Sequence, residues 1–193
     1  YPAGTTKTAV YASGLWMGAK IAGTPRVTVA EYSWEYSPGP ILSPTEWADP
    51  SDPSYHVYKI APGDTPESNP DYADWPANDG APVDGDGHPR HLGEQTLWSV
   101  FNDLDPLPHS NNAGHSAPLG IEVQNTAFAE NWNGAAQTTV FLEWKIINKG
   151  SNLLEDAYIT IWSDPDLGGS SDDLVGCDPS LSLGYCYNAT NAD

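Results

Sequence analysis

Apolar and polar side chains alternate with a period of two in many short stretches of this sequence, the spacing of a strand that buries one face. Thr8-Ala9-Val10-Tyr11-Ala12 is short and β-prone. Gly14-Leu15-Trp16-Met17-Gly18-Ala19-Lys20-Ile21 runs into Ala22-Gly23, a turn, and then into Pro25-Arg26-Val27-Thr28-Val29-Ala30-Glu31-Tyr32, which together predict a hairpin. Tyr55–Ile60 and Gln95–Asn102 are rich in aromatic and β-branched residues and read as two more strands. Leu119, Ile121 and Val123 alternate with Gly120, Glu122 and Gln124. Asn133-Gly134 supplies the residues that a tight type I′ turn requires. Thr138, Val140, Leu142, Trp144 and Ile146 then line one face of a strand, and Ala157, Ile159 and Ile161 line one face of the next. These last three strands predict an antiparallel meander. Several strands are apolar on both faces, which suits a sheet covered by a second sheet on one side and by loops on the other.

Between the strands lie two long proline-rich segments, 37–54 and 61–93. Proline fixes φ and donates no hydrogen bond, so these stretches are loop and not sheet interior. The fold expected is all-β: one antiparallel β-sandwich over residues 1–193, with roughly 8–10 strands and long Pro/Gly-rich loops. At 193 residues the chain can bury a substantial core. It opens at Tyr1 and not at Met, which reads as part of, or a product processed from, a longer secreted protein.

Charge changes the picture. The formal net charge is −19, with only seven Lys and Arg. No basic stripe exists to displace counterions from phosphates, which excludes a nucleic-acid partner. No apolar run approaches the ~20 residues of a membrane helix, so membrane insertion is not expected. The acid is densest after the last strong strand, where Asp164, Asp166, Asp172, Asp173 and Asp178 crowd into a segment punctuated by Gly and Pro. Carboxylates this dense repel one another unless solvated or sharing a cation. Hard oxygen ligands on a flexible loop suit Ca²⁺, so the expectation is a calcium staple at these five aspartates. The pattern is not an EF-hand, because Gly168 and Val175 stand where ligands would be needed.

Cys177 and Cys186 are the two cysteines, and their C-x8-C spacing fits neither a zinc knuckle nor a redox C-x-x-C. A local disulfide in an oxidising compartment is expected. Asn188-Ala189-Thr190 is an N-glycosylation sequon at Asn188. Asp84-Gly85-Asp86-Gly87 and Asn102-Asp103-Leu104-Asp105 read as Asp-capped turns before they read as metal sites. His88 with His91, and His109 with His115, are weak zinc candidates without a metalloprotease motif. Glu122, Glu143 and Asp103 could furnish a glycosidase carboxylate pair, but no nucleophile motif accompanies them, and an enzyme is not expected. Trp47, Tyr72 and Trp75 are expected to anchor the long loops to the core. Trp47, Trp75 and Trp132 are also the candidates for stacking on sugars.

Four segments carry a resemblance: Gly14-Leu15-Trp16-Met17-Gly18, Val29-Ala30-Glu31-Tyr32-Ser33, Leu97-Trp98-Ser99-Val100-Phe101-Asn102-Asp103, and Trp162-Ser163-Asp164-Pro165-Asp166-Leu167-Gly168, the last continuing through Gly176-Cys177-Asp178 to Tyr187-Asn188. The sequence is similar to the amino-terminal region of large secreted proteins of the Bacteroidetes–Ignavibacteria–Caldithrix group, many of which end in a type IX secretion sorting domain. That resemblance implies an extracellular or cell-surface location more than an activity. The expected function is a structural or adhesive surface protein, with the repeating subunit of an extracellular filament or sheath as one form of it, that contacts itself, other surface proteins or polysaccharide. The alternatives are a carbohydrate-binding module and, behind it, a glycoside hydrolase.

Overall fold

The computed structural model describes residues 4–6, 8–32, 34–110, 114–131 and 133–190. Its strands are β1 (Ala12–Ile21), β2 (Thr24–Val29), β3 (Ser37–Pro38), β4 (Ile41–Ser43), β5 (Glu46–Trp47), β6 (Tyr58–Ile60), β7 (Gln95–Asn102), β8 (Ile121–Ala129), β9 (Phe141–Asn148), β10 (Glu155–Asp164), β11 (Asp173–Asp178) and β12 (Leu183–Asn188). The one short α-helix, α1, is Pro70–Ala73. The all-β, sandwich-like architecture expected from the alternation is present, with eight of the twelve strands six residues or longer.

One sheet runs β10-β1-β2 and the other β3-β7-β8-β9, with β6 also on β7; β4-β5 and β11-β12 are separate hairpins. All strand pairs are antiparallel. Leu15, Met17, Ala19 and Ile21 alternate along β1 and bury their side chains with Ile121 and Val123 of β8, with Leu119 and Tyr36 beside them. Trp144 and Ile146 of β9 pack against the margin of this cluster.

The opposite face of the larger sheet carries a second cluster. Trp98 and Val100 of β7 join Tyr58 and Ile60 of β6, and the loop 61–93 lays Trp75 and Ala81 over them. Trp75 meets Tyr58 edge-on at 6.2 Å and donates its indole N–H to Pro82 O at 2.9 Å. The long loop is thus held by its aromatics, as the sequence suggested, and by local capping. Asn69 accepts from Asp71 N at the start of α1 and donates to Lys59 O and to Asp64 Oδ2, which ties the loop to β6.

Three sequence expectations need correction. Asn133-Gly134 does not make a two-residue turn. Residues 130–140 connect β8 to β9, and Gly134–Thr138 forms a 3₁₀ turn within them. The last three long strands are not a meander, because β10 leaves β9 and pairs with β1 in the other sheet. Residues 149–154 make that crossing. Lys149 N and Gly150 N both donate to Gly120 O, and Gly120 and Gly150 approach so closely that a Cβ on Gly120 would lie 2.8 Å from the Gly150 Cα. Finally, residues 173–188 are not a loop but a hairpin, with Leu174 opposite Tyr187 and Gly176 opposite Tyr185.

Candidate functional site

The five aspartates of the acidic segment are spread over the end of β10, the β10–β11 connection and the two ends of β11. Asp164 ends β10 and accepts from the Tyr32 hydroxyl at 2.5 Å, a bond that pushes the Tyr32 phenol up to about 12. Asp172 Oδ2 accepts from Thr190 N and Thr190 Oγ1 at 3.0 and 2.7 Å. Asp178 Oδ1 accepts from Ser180 N and Ser180 Oγ at 2.9 and 2.6 Å, which builds the four-residue turn between β11 and β12. These bonds hold the Asp172 and Asp178 carboxyls below their ordinary range. Asp173 Oδ2 accepts from Leu167 N at 3.0 Å, while its Oδ1 is shielded from solvent without a hydrogen-bond partner. No three of the five bring ligand atoms within 4.8 Å of one another; among the described residues the group that does is Asp84, Asp86 and His88, all exposed. There Asp84 Oδ1 accepts from Asp86 N and His88 N, both at 2.9 Å, so this cluster is the capped turn its sequence suggested.

The expected disulfide is absent. Cys177 and Cys186 are free thiols, the first exposed and the second half-buried. The reason is register: Cys177 lies opposite Gly184, and Cys186 opposite Val175. The two thiols are diagonal neighbours on one face of the hairpin, a relationship that spaces Cα atoms roughly 7–8 Å apart, beyond ordinary disulfide reach. Burial and the nearby Asp173 push the Cys186 thiol up. Asn188 closes β12 opposite Asp173.

Of the stacking candidates, Trp75 is core, only 9% exposed, and offers no open ring face. Trp47 is half-buried and lines a surface groove of about 330 Å³ together with Arg26, Pro44 and Asn152. Trp132 lies outside the described residues.

Glu122 and Glu143 are too far apart to act as a glycosidase pair. Glu122 pairs with Ile147 across β8 and β9, whereas Glu143 pairs with Thr126. That offset of four residues amounts to ~13 Å along the strand, beyond the roughly 5–9.5 Å of glycosidase pairs. Glu122 is buried and bound by Lys149 Nζ at 2.5 Å, Ile41 N at 2.8 Å and Gln124 Nε2 at 3.0 Å. Asp103 is also buried, and it accepts from three consecutive backbone amides, Leu119 N, Gly120 N and Ile121 N, at 2.7–2.8 Å.

Sequence reasoning missed a buried Glu35–His109–Asp103 row. His109 Nδ1 lies 3.7 Å from Glu35 Oε2, and His109 Nε2 lies 3.8 Å from Asp103 Oδ2. A carbonyl oxygen can only accept, so the 3.0 Å contact from Nε2 to Asp103 O places the ring proton on Nε2. Burial raises both the Glu35 and the Asp103 carboxyls above their ordinary values. The row joins the β2–β3 connection to the β7–β8 connection. Glu35 lies far in sequence from Asp103, and nothing in the spacing of polar residues flagged their meeting.

The surface that stands out is apolar. Ile159 and Ile161 of β10 are opposite Met17 and Leu15 and share their face of the sheet, yet they are 57% and 60% exposed. Leu142 of β9 lies on the core-facing side, two residues from Trp144, and is also exposed, as is Val140 just before it. Leu174, Val175, Tyr185 and Tyr187 extend the exposed apolar surface over the β11–β12 hairpin. A groove of about 710 Å³ lies between β10 and that hairpin, lined by Val10, Ile161, Val175 and Tyr185 among others. The inner layer of the sandwich therefore continues beyond the buried core onto strands that nothing in this chain covers among the described residues. Exposed apolar surface on this scale is unusual for a domain folded in water. Comparison with protein families, characterised proteins and solved structures finds no match to this chain.

Proposed function

We propose that this chain is a non-catalytic structural or adhesive domain of an extracellular or cell-surface assembly. The open apolar face of β9, β10 and the β11–β12 hairpin carries this reading, since it is shaped for contact with another polypeptide and not for a small substrate. The acidic surface agrees with it, because a net charge of −19 keeps the free domain soluble despite that face. Calcium at the acidic segment, Asp164, Asp166, Asp172, Asp173 and Asp178, belongs to the same reading, supported by the solvent-shielded Asp173 Oδ1.

The test is footprinting in the native setting. In extracellular material from the organism that makes it, the chain should sediment with a large assembly, and Tyr185, which lines the groove, should be shielded from tyrosine-directed labelling compared with the purified domain. A chain recovered at monomer size with Tyr185 labelled equally in both would overturn the structural reading. A second reading, carbohydrate binding, is favoured by the Trp47 and Arg26 groove. It predicts retention on an insoluble polysaccharide that Trp47→Ala abolishes.

A further inference from the structure

We propose that the free edge of β10 is a strand-docking site for a basic, extended segment of a partner protein: alternating apolar residues bracketed by Lys or Arg. The inference rests on the interaction-surface reading above and names the chemistry of what that surface takes.

β10 is an edge strand, hydrogen-bonded to β1 on one side only. The backbone N–H and C=O groups on its other side form a ready template for another strand. Natural sheets blunt such edges with charge, proline or a bulge. Here the blunting is confined to the ends. The bulge sits opposite Gly18 and Lys20, at Asp156, whose φ is +48°. From Ala157 through Ser163 the strand carries no charge, no proline and no glycine. Its inward side chains, Ile159 and Ile161, stand open to solvent above the groove that Val10, Val175 and Tyr185 complete. An added strand would hydrogen-bond along β10 and place every second side chain in that groove, the arrangement of β-augmentation.

Charge decides the occupant. Glu155 and Asp156 bracket the uncharged run at one end, and Asp164 and Asp166 bracket it at the other. Lys20 already partners Asp156 at 2.8 Å, and among the described residues no Lys or Arg forms an ion pair with the remaining three. A second copy of this chain suits the edge poorly. Antiparallel self-pairing about the strand centre sets Glu155 against Asp164 of the other copy, and each copy brings a net charge of −19. Like charges set directly opposite across a ladder are destabilising. A segment with Lys or Arg at both ends turns the same four carboxylates into attraction and register marks.

The test uses a fluorescently labelled peptide, Lys-Lys-Val-Thr-Val-Thr-Val-Lys-Lys, and its counterpart with Glu for each Lys. By anisotropy the basic peptide should bind saturably, and raising NaCl from about 50 mM to about 500 mM should weaken it about tenfold or more. The acidic peptide should not bind. Ile161→Asp should abolish binding while leaving the melting temperature unchanged, because Ile161 is exposed in the free chain. Leu107→Asp, on a distant exposed loop, should bind as the parent does. Hydrogen exchange should slow at β10 amides when peptide is bound. Failure to bind, equal binding of both peptides, or binding that survives Ile161→Asp would overturn the proposal. So would a self-associated chain whose β10 amides are already protected, which would make a second copy the occupant. If Tyr185 is shielded in the native assembly and the basic peptide still fails to bind, the docking chemistry falls while the structural reading stands.

Discussion

Leu15 and Ile161 are direct partners across β1 and β10 and point to the same face, yet Leu15 is 3% exposed and Ile161 is 60% exposed. Burial ends between two neighbouring strands of one sheet. The hydrophobic core, built from β1 and β8, does not reach the outer strand, although the sequence of that strand is as apolar as its neighbour.

A pair of truncations reads this boundary directly. Leu15→Ala leaves a cavity between the sheets and should cost about 2–5 kcal/mol. Ile161→Ala removes side chain that water already covers and should stay within about 0.5 kcal/mol of the parent. Urea unfolding of the two variants gives the comparison. Equal losses would mean that β10 is buried in the free chain, and the interaction-surface reading would fail with it.

Asp103 should matter to stability out of proportion to its size. Its two oxygens accept from Leu119 N, Gly120 N and Ile121 N where the chain enters β8. Asp103→Ala strands three buried amides, each worth about 1–3 kcal/mol, and should cost several kcal/mol or prevent folding. Asp103→Asn keeps the shape and one acceptor, so it should fall between. A change under about 1 kcal/mol for Asp103→Ala in denaturant unfolding would refute the assignment.

How much of this was legible beforehand follows from the range of each interaction. The period-two alternation located β1, β2, β7, β8, β9 and β10 because one buried face imposes it locally. It could not say which strands pair. The turn from β9 into β10 was read as a meander because Ile146 and Ile159 look alike in sequence, whereas the close approach of Gly120 and Gly150 that sends β10 to the other sheet joins residues thirty apart. The hydrogen bonding within the acidic segment was hidden for a related reason. Asp172 and Asp178 look like ligands in a list, but each is taken up by a hydroxyl and an amide within hydrogen-bond reach, Thr190 and Ser180. Glu35 and His109 were not singled out together at all, because two buried polar residues seventy-four positions apart leave no periodic trace.

The buried acids set the direction of one pH effect. Burial raises Glu35 above its ordinary value of 4.5, opposed by His109 and by the Val29 amide and reinforced by Asp103 and Glu31. A carboxyl whose folded value is raised binds its proton more tightly in the native state than in the unfolded chain. Its contribution to stability is full below the ordinary value and is lost as pH rises through the raised one. Exposed aspartates with lowered values, such as Asp49 and Asp178, act in the opposite sense at lower pH. The difference between the parent and Glu35→Gln isolates the buried group. The parent should lose stability relative to Glu35→Gln as pH is raised from about 4 toward 7, measured by urea midpoints. A difference that is flat, or that grows in the parent's favour, would show Glu35 to be stabilised as the anion.

The cysteines offer a test that needs no mutation of the core. With Cys177 opposite Gly184 and Cys186 opposite Val175, the hairpin holds the thiols one pair out of register. Bridging them would demand that one strand slide or the twist collapse, which costs ladder bonds along β11 and β12. The purified, non-reduced protein should therefore titrate as two free thiols. Cys177, exposed, should react with a maleimide before Cys186, whose half-burial and neighbouring Asp173 keep the thiol protonated. Mass spectrometry of singly labelled protein reads the order. A loss of two mass units with no reactive thiol would show a bridge, and the β11–β12 register would then have to differ from the one that sets Val175, Cys177 and Cys186 on a common face beside the β10 groove.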